Sequence, residues 1–275
     1  MTPTRARFAE VVRSEPVDVG LACLLIGGEV DRELDLDASL EVLERLAAAV
    51  RPHLASPRAA DAAEALRRVL GVEHRFAGTP EDYDDVRGSL LHEVLRRRRG
   101  LPILLSVLWM EVAARVGVPA YAVGLPGHVV VGLGDPDDEH VLVDPYAGGA
   151  VLSRAEVGEL VRRVTGGRVQ PGLLRPMAAE DLLLRVLNNV RVLATRRPPG
   201  LEAAAMRLWA VELTLLLPRH PLELRRERGE LLVRLGDHLG GADELETYAM
   251  VVDGTDEAEA AAARREARLA RAQLN

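Results

Sequence analysis

The stretch Arg98-Arg-Gly-Leu-Pro-Ile-Leu-Leu-Ser106 decides how the rest of the chain is read. Gly100 reads as the stop of one helix and Pro102 as the first residue of the next, the usual placement of Gly after a helix and Pro in its first turn. Ile103–Val116 is apolar on nearly every face, so a centrally buried helix is expected. Towards the C-terminus, Gly117-Val-Pro119 closes that helix. Three Val-rich segments follow, Tyr121–Gly124, His128–Leu133 and His140–Asp144, which read as strands, with Gly134-Asp-Pro-Asp-Asp138 as the loop joining the last two. Both faces of these strands are apolar, as in a sheet covered on each side.

Upstream, Phe8–Val12, Val19–Ile26, Leu36–Leu54, Ala59–Leu70 and Ser89–Arg97 read as helices, and Leu40, Leu43, Leu46 and Val50 draw one apolar stripe. Phe76-Ala-Gly-Thr-Pro80 is a turn-rich loop. Downstream lies a helix at Arg154–Val164, then a Gly/Pro stretch at 166–176 that reads as a linker. Five more helical segments follow, Glu180–Ala194, Leu201–Leu217, Leu222–Leu235, Ala242–Val252 and Glu257–Gln273, separated by Pro or Gly. Their spacing suggests helix pairs of tetratricopeptide type. The expected division is therefore 1–165, a linker at 166–176, and a helical-repeat domain at 177–275.

Composition narrows the function classes. The chain has 275 residues and a formal charge of −7, and every basic residue is arginine. An acidic balance argues against a nucleic-acid surface. No apolar run is long enough to span a bilayer, and no membrane partner is expected. Cys23 is the single cysteine, which excludes an internal disulfide and a multi-cysteine metal site; the seven histidines show no HxH or HxxxH spacing. No metal or cofactor is expected, and a reducing cytoplasm is the simplest location.

Two residues stand out chemically. His128 opens one strand and Asp144 ends the next, and a His held by a carboxylate is the orienting half of a nucleophile–His–Asp constellation. The two are 16 positions apart, so they share a side of the sheet only if the connection around Pro136 holds an odd number of residues or a bulge shifts the count. The bland alternatives are a His that only holds the hairpin and an Asp that only caps the turn before Pro145. Ser106, one turn after Pro102, is expected to bond a backbone carbonyl. Cys23 sits in an apolar helix as an inert thiol. The run Arg96–Arg99 reads as a solvated helix end or a dock for an acidic peptide.

Taken together, Gly100-x-Pro102, the apolar helix, Gly117-Val-Pro119, Gly124-Leu-Pro-Gly-His128 and Val143-Asp-Pro-Tyr146 resemble the transglutaminase-like superfamily, and within it the SirB-type invasion-regulator family. The likeness extends upstream through Ala22–Ile26 and Glu81-Asp-Tyr83, and downstream through Leu184–Asn189. It implies an α+β fold: a papain-type domain with a small antiparallel sheet, followed by tetratricopeptide-like helices. It also implies catalytic positions at His128 and Asp144, and places Pro102 where the superfamily carries its nucleophilic cysteine. Gly88, His92 and Ala147 stand where asparagines are expected. With no nucleophile, the expectation is a non-catalytic protein binding a protein or peptide partner, with Pro102, Ser106, Tyr121 and Tyr146 lining the cleft. The competing expectation is a hydrolase or acyl transferase using His128 and Asp144 with another nucleophile.

Overall fold

A computed structural model describes residues 2–56 and 58–273, which fall into two compact units, 1–186 and 187–275. The first unit starts with helices α1 (Pro3–Val11), α2 (Val19–Val30), α3 (Leu36–Val50) and α4 (Ala59–Leu66). Thr2, Asp18 and Asp35 cap the first three through their side chains, each satisfying one otherwise unpaired N–H. The expected helix to Leu54 is shorter than read. Pro52 has no N–H to continue the ladder, and the chain tightens into a 3₁₀ turn at Arg51–His53. After α4 the helix widens to a π-turn over Arg67–Glu73, where Gly71 lies so close to the Gly148 carbonyl that a Cβ would collide with it.

Helix α5 covers Leu91–Arg97, and α6 Pro102–Arg115. Gly100 does not stop α5. Arg98 does, in the left-handed conformation at φ 60°, while Gly100 is packed against Val94 and the Gly88 carbonyl. The Arg96–Arg99 run is not simply solvated either: Arg96 pairs with Glu93, Arg97 with Asp85 and Arg99 with Asp82. Pro102 is the first residue of α6, and this helix is buried from Pro102 through Trp109.

The sheet runs in the order β1 (Ala120–Leu125), β2 (His128–Gly134), β3 (His140–Asp144), β4 (Ala150–Leu152), all antiparallel. Strand β4 escaped the sequence reading because it is three residues long and mostly exposed. One face, through Val123, Leu125 and Val130, packs on Val157 and Val161 of α7 (Arg154–Thr165) and on Val169, Leu173 and Leu174. Helices α4 and α6 pack on β2 and cover the other. The 166–176 stretch is thus not a free linker: its apolar residues complete this core, and Met177 N–H donates to the Ala122 carbonyl at 2.8 Å. The boundary between units falls later, within α8 (Ala179–Arg196).

The second unit is helical, with α9 (Leu201–Thr214), α10 (Glu223–Arg234), α11 (His238–Val252) and α12 (Glu257–Ala272), each packed on the next. Helix α11 starts four residues before the expected Ala242 because Asp237 caps it by accepting from Gly240 N–H. Small side chains let these helices approach closely: Ala260, Ala263, Ala267 and Ala270 bury one face of α12.

Trp109 and Cys23 anchor the first core, at 0% and 1% exposure. Burial pushes the Cys23 thiol far above its usual range, and the nearby Glu111 and Asp18 carboxylates add to the shift. Alkylation of Cys23 in the native protein is therefore expected to be slow at neutral pH. Trp109→Ala should cost about 3–5 kcal/mol, read from the denaturant midpoint, and should speed Cys23 labelling by raising the unfolded fraction. Rapid labelling of the parent protein would contradict this packing.

Candidate functional site

The site is built at the end of the sheet where β1 turns into β2 through Pro126-Gly127, and where β3 ends at Asp144. The β2–β3 pairing sets Val131 against Val143 and Gly134 against His140, so the loop Asp135–Glu139 holds five residues. That odd count puts Asp144 opposite Val130, two residues along from His128 and on the same side of the sheet. His128 Nε2 lies 3.0 Å from Asp144 Oδ2, with side-chain exposures of 13% and 8%.

The contact is close but not an aligned hydrogen bond, since the buried Nε2 has no partner in hydrogen-bond geometry. Asp144 also has a second task. Its Oδ1 accepts from Tyr146 N–H at 3.0 Å, capping the 3₁₀ turn Pro145–Ala147. One carboxylate thus serves both as turn cap and as neighbour of the imidazole. The Asp144 carbonyl also accepts from Gly149 N–H at 2.8 Å; Gly149, at φ 85°, lies over the Trp109 ring where no Cβ would fit.

Tyr146 forms a wall. Its ring stands edge-on to His128 at 5.7 Å and contacts Tyr83 at 6.2 Å. Beneath it, Gly78 brings its backbone so close that a Cβ would fall inside the ring, and Gly78 N–H donates to the Tyr146 carbonyl at 2.9 Å. Burial, with help from Tyr83 and the acidic Asp82, Glu81 and Asp144, pushes the Tyr146 phenol up to about 12. Tyr83 is raised by burial and by Asp144, against an opposing pull from Arg185.

The loop that presents Tyr83 is fastened by a fully buried carboxylate. Asp82 accepts from Thr79 N–H at 2.9 Å and from Arg99 Nε at 2.8 Å. On the strand side, Arg185 Nη2 donates to the Leu125 and His128 carbonyls, at 2.9 and 2.8 Å.

The other residues expected at the site fall differently. Pro102 is buried at the N-terminus of α6 and has no polar side-chain atom. Ser106 is fully buried, with its hydroxyl donating to the Val129 carbonyl at 3.3 Å; the bond reaches across to the neighbouring strand instead of its own helix. Tyr121 does not join the cluster. It packs against the Val123–Val161 core, and its ring covers Gly132. Tyr83, Gly78 and Arg185 were not singled out from sequence as site residues. Only the Glu81-Asp-Tyr83 and Leu184–Asn189 segments of the family resemblance pointed near them. Among the described residues there is no group of three or more His, Cys, Asp or Glu side chains placed to hold a metal ion.

Residues 37–188 match the transglutaminase-like superfamily, and the chain belongs to it. A UPF0162 protein of Xylella fastidiosa is 34% identical over 197 residues, covering 70% of this chain and 68% of the relative. A UPF0162 protein of Pseudomonas aeruginosa is 34% identical over 140 residues, covering 48% of this chain and 50% of its own. F-box only protein 21 of Mus musculus is 28% identical over 184 residues, covering 64% of this chain and 28% of the mouse protein. No solved structure matches.

The raised Tyr146 pKa has a measurable consequence. A phenol whose folded pKa lies above the ordinary value of about 10 stabilises the fold fully below that pH, and the contribution is lost as pH rises towards about 12. Ultraviolet titration of the native protein should show a late tyrosinate that disappears in Tyr146→Phe, and parent stability should fall more steeply between these two pH values than that of the variant. Complete tyrosine ionisation near pH 10 in the folded protein would contradict the assignment.

Proposed function

We propose that this chain is a non-catalytic peptide- or protein-binding protein of regulatory type, in which a transglutaminase-like cleft has kept its His–Asp pair and dispensed with its nucleophile. The observation that carries the reading is the state of the three candidate nucleophiles. The position at the start of α6 is Pro102, the Ser106 hydroxyl is buried on a backbone carbonyl, and Cys23 is buried in α2 with its thiol held protonated. His128 and Asp144 accordingly orient a ligand without activating an attacking group.

The cleft suits that task. Tyr83 and Tyr146 supply rigid aromatic surface with polar tips, which suits extended peptide well. No hydrogen bond reaches His128 Nδ1 from a described residue, which leaves it available to a peptide amide or carbonyl. Within the superfamily we assign the chain to the SirB type, and read its C-terminal helices as tetratricopeptide-like, adding a second binding surface. No described helix is long and apolar enough to cross a membrane. A lone protonated thiol fits a reducing cytosol.

Selection from a bead-bound random peptide library tests this reading. Enriched peptides should bind the parent protein and lose roughly tenfold in affinity to His128→Ala or Tyr146→Ala, with circular dichroism unchanged. Mass spectra of the same peptides should show no cleavage or acyl transfer. Peptide turnover that depends on His128 would replace binding with catalysis as the function.

A further inference from the structure

We propose that Arg185 is the specificity-determining residue of this cleft and that it selects a peptide carrying a carboxylate. The proposal rests on the peptide-binding reading above and adds the chemical class of the ligand to it.

The first observation is an uncompensated charge. Arg5, Arg97 and Arg115 are part-buried arginines of the same unit, and each stands against a carboxylate: Glu29, Asp85 and Glu111. Arg185 is also part-buried, yet no carboxylate lies within ion-pairing distance of it among the described residues. Its only bonds to described residues run from Nη2 to the carbonyls of Leu125 and His128. Carbonyl oxygens satisfy donors but do not neutralise a charge. Burying a guanidinium without a counter-ion is unfavourable, and the lowered pKa of Arg185 reports the same desolvation.

The second observation is how the group is held. The two carbonyls belong to the residues that close the β1–β2 turn, so the guanidinium is fixed to the backbone of His128 itself. Gly124 leaves the room it needs: a Cβ there would lie 3.3 Å from Arg185 Nη1 and would strike Met177. With Nη2 committed, Nε and Nη1 have no partner among the described residues. An arginine clamped by one nitrogen and free at the others is preorganised to receive an anion, because little side-chain freedom remains to be lost on binding.

The third observation is the surroundings. Tyr83 feels both Asp144 and Arg185, in opposite directions, so the aromatic wall of the cleft stands near the fixed positive charge as well as the acid. A ligand packed on Tyr83 and held by His128 therefore lies near that positive charge. The match for that charge in a peptide is a carboxylate, from an Asp or Glu side chain or from a free C-terminus. Both present the same planar oxygens to the guanidinium.

The test uses peptides enriched from the bead-bound library, each resynthesised in three forms: unaltered, with a C-terminal amide, and with Asp and Glu replaced by Asn and Gln. The parent protein should lose about tenfold or more in affinity for one of the two neutralised forms, as expected when a charge-assisted hydrogen bond is removed. Which form loses affinity identifies the C-terminus or the side chain as the source. Arg185→Gln should bind the unaltered and neutralised forms alike, whereas His128→Ala should weaken all forms in parallel. Should Arg185→Gln fail to fold, the three forms on the parent protein still decide the matter. Equal binding of all three forms by the parent, with dependence on His128 retained, would overturn the role of Arg185 and leave the peptide-binding function standing. Acid preference persisting in a folded Arg185→Gln would overturn it as well. Absence of any enriched peptide would remove both readings together.

Discussion

The parity of one loop governs the site. Side chains alternate across a strand, so a single residue more or fewer between β2 and β3 would turn Asp144 to the opposite side from His128. Asp135–Glu139 holds five residues and is closed by Asp135 N–H donating to the Glu139 carbonyl at 3.1 Å, with Gly134 bending the chain into it at φ 97°. From that register follow the 3.0 Å approach of Asp144 to the imidazole, the capping of the next turn by the same carboxylate, and the position of Tyr146. The turn then needs Gly149 over Trp109 and Gly78 beneath the Tyr146 ring. A site of four or five side chains thus depends on close backbone contacts made by residues with no chemistry of their own.

In the proposed reading a His–Asp pair is kept without a nucleophile. In a catalytic constellation the carboxylate fixes the imidazole tautomer so that the ring can take a proton from the attacking group. Here Asp144 approaches the ring to 3.0 Å without an aligned hydrogen bond, and Tyr146 at 5.7 Å is its aromatic neighbour. A ring held in this way offers one nitrogen to a ligand at low entropic cost. Arg185, bound to the backbone of the same residue, extends this rigid set with a positive charge. Binding in the proposed cleft would therefore rest on preorganisation, with the buried α6 packed on the sheet.

Much of the architecture was legible in the sequence because its signals are local. Pro102 at the start of α6 and the unbroken Val run of β2 are each set within a few residues. The local rule fails where a distant partner overrides it. Gly100 looks like a helix stop but serves close packing against Val94 and the Gly88 carbonyl, and Arg98 takes the left-handed turn in its place. The Gly/Pro stretch at 166–176 has linker composition, yet Val169, Leu173 and Leu174 find a sheet face to bury against. Tyr121, expected in the cleft, is claimed by the same core. Within the site, His128 and Asp144 could be paired from sequence by their distance from one hairpin. Arg185 could not, because it lies 57 residues from His128, on α8, and its meaning rests on a charge left unpaired in three dimensions.

The proposed cleft orients a ligand and holds no group able to attack it. Intact-mass spectrometry of the native chain, after incubation with peptide vinyl sulfones, fluorophosphonates and acyl-glutamine mimics, tests it most directly. The account predicts an unmodified mass for the parent protein, the same for His128→Ala, and labelling of Cys23 only after unfolding. A single stoichiometric adduct on the folded parent, lost in His128→Ala, would show that a nucleophile is present and working.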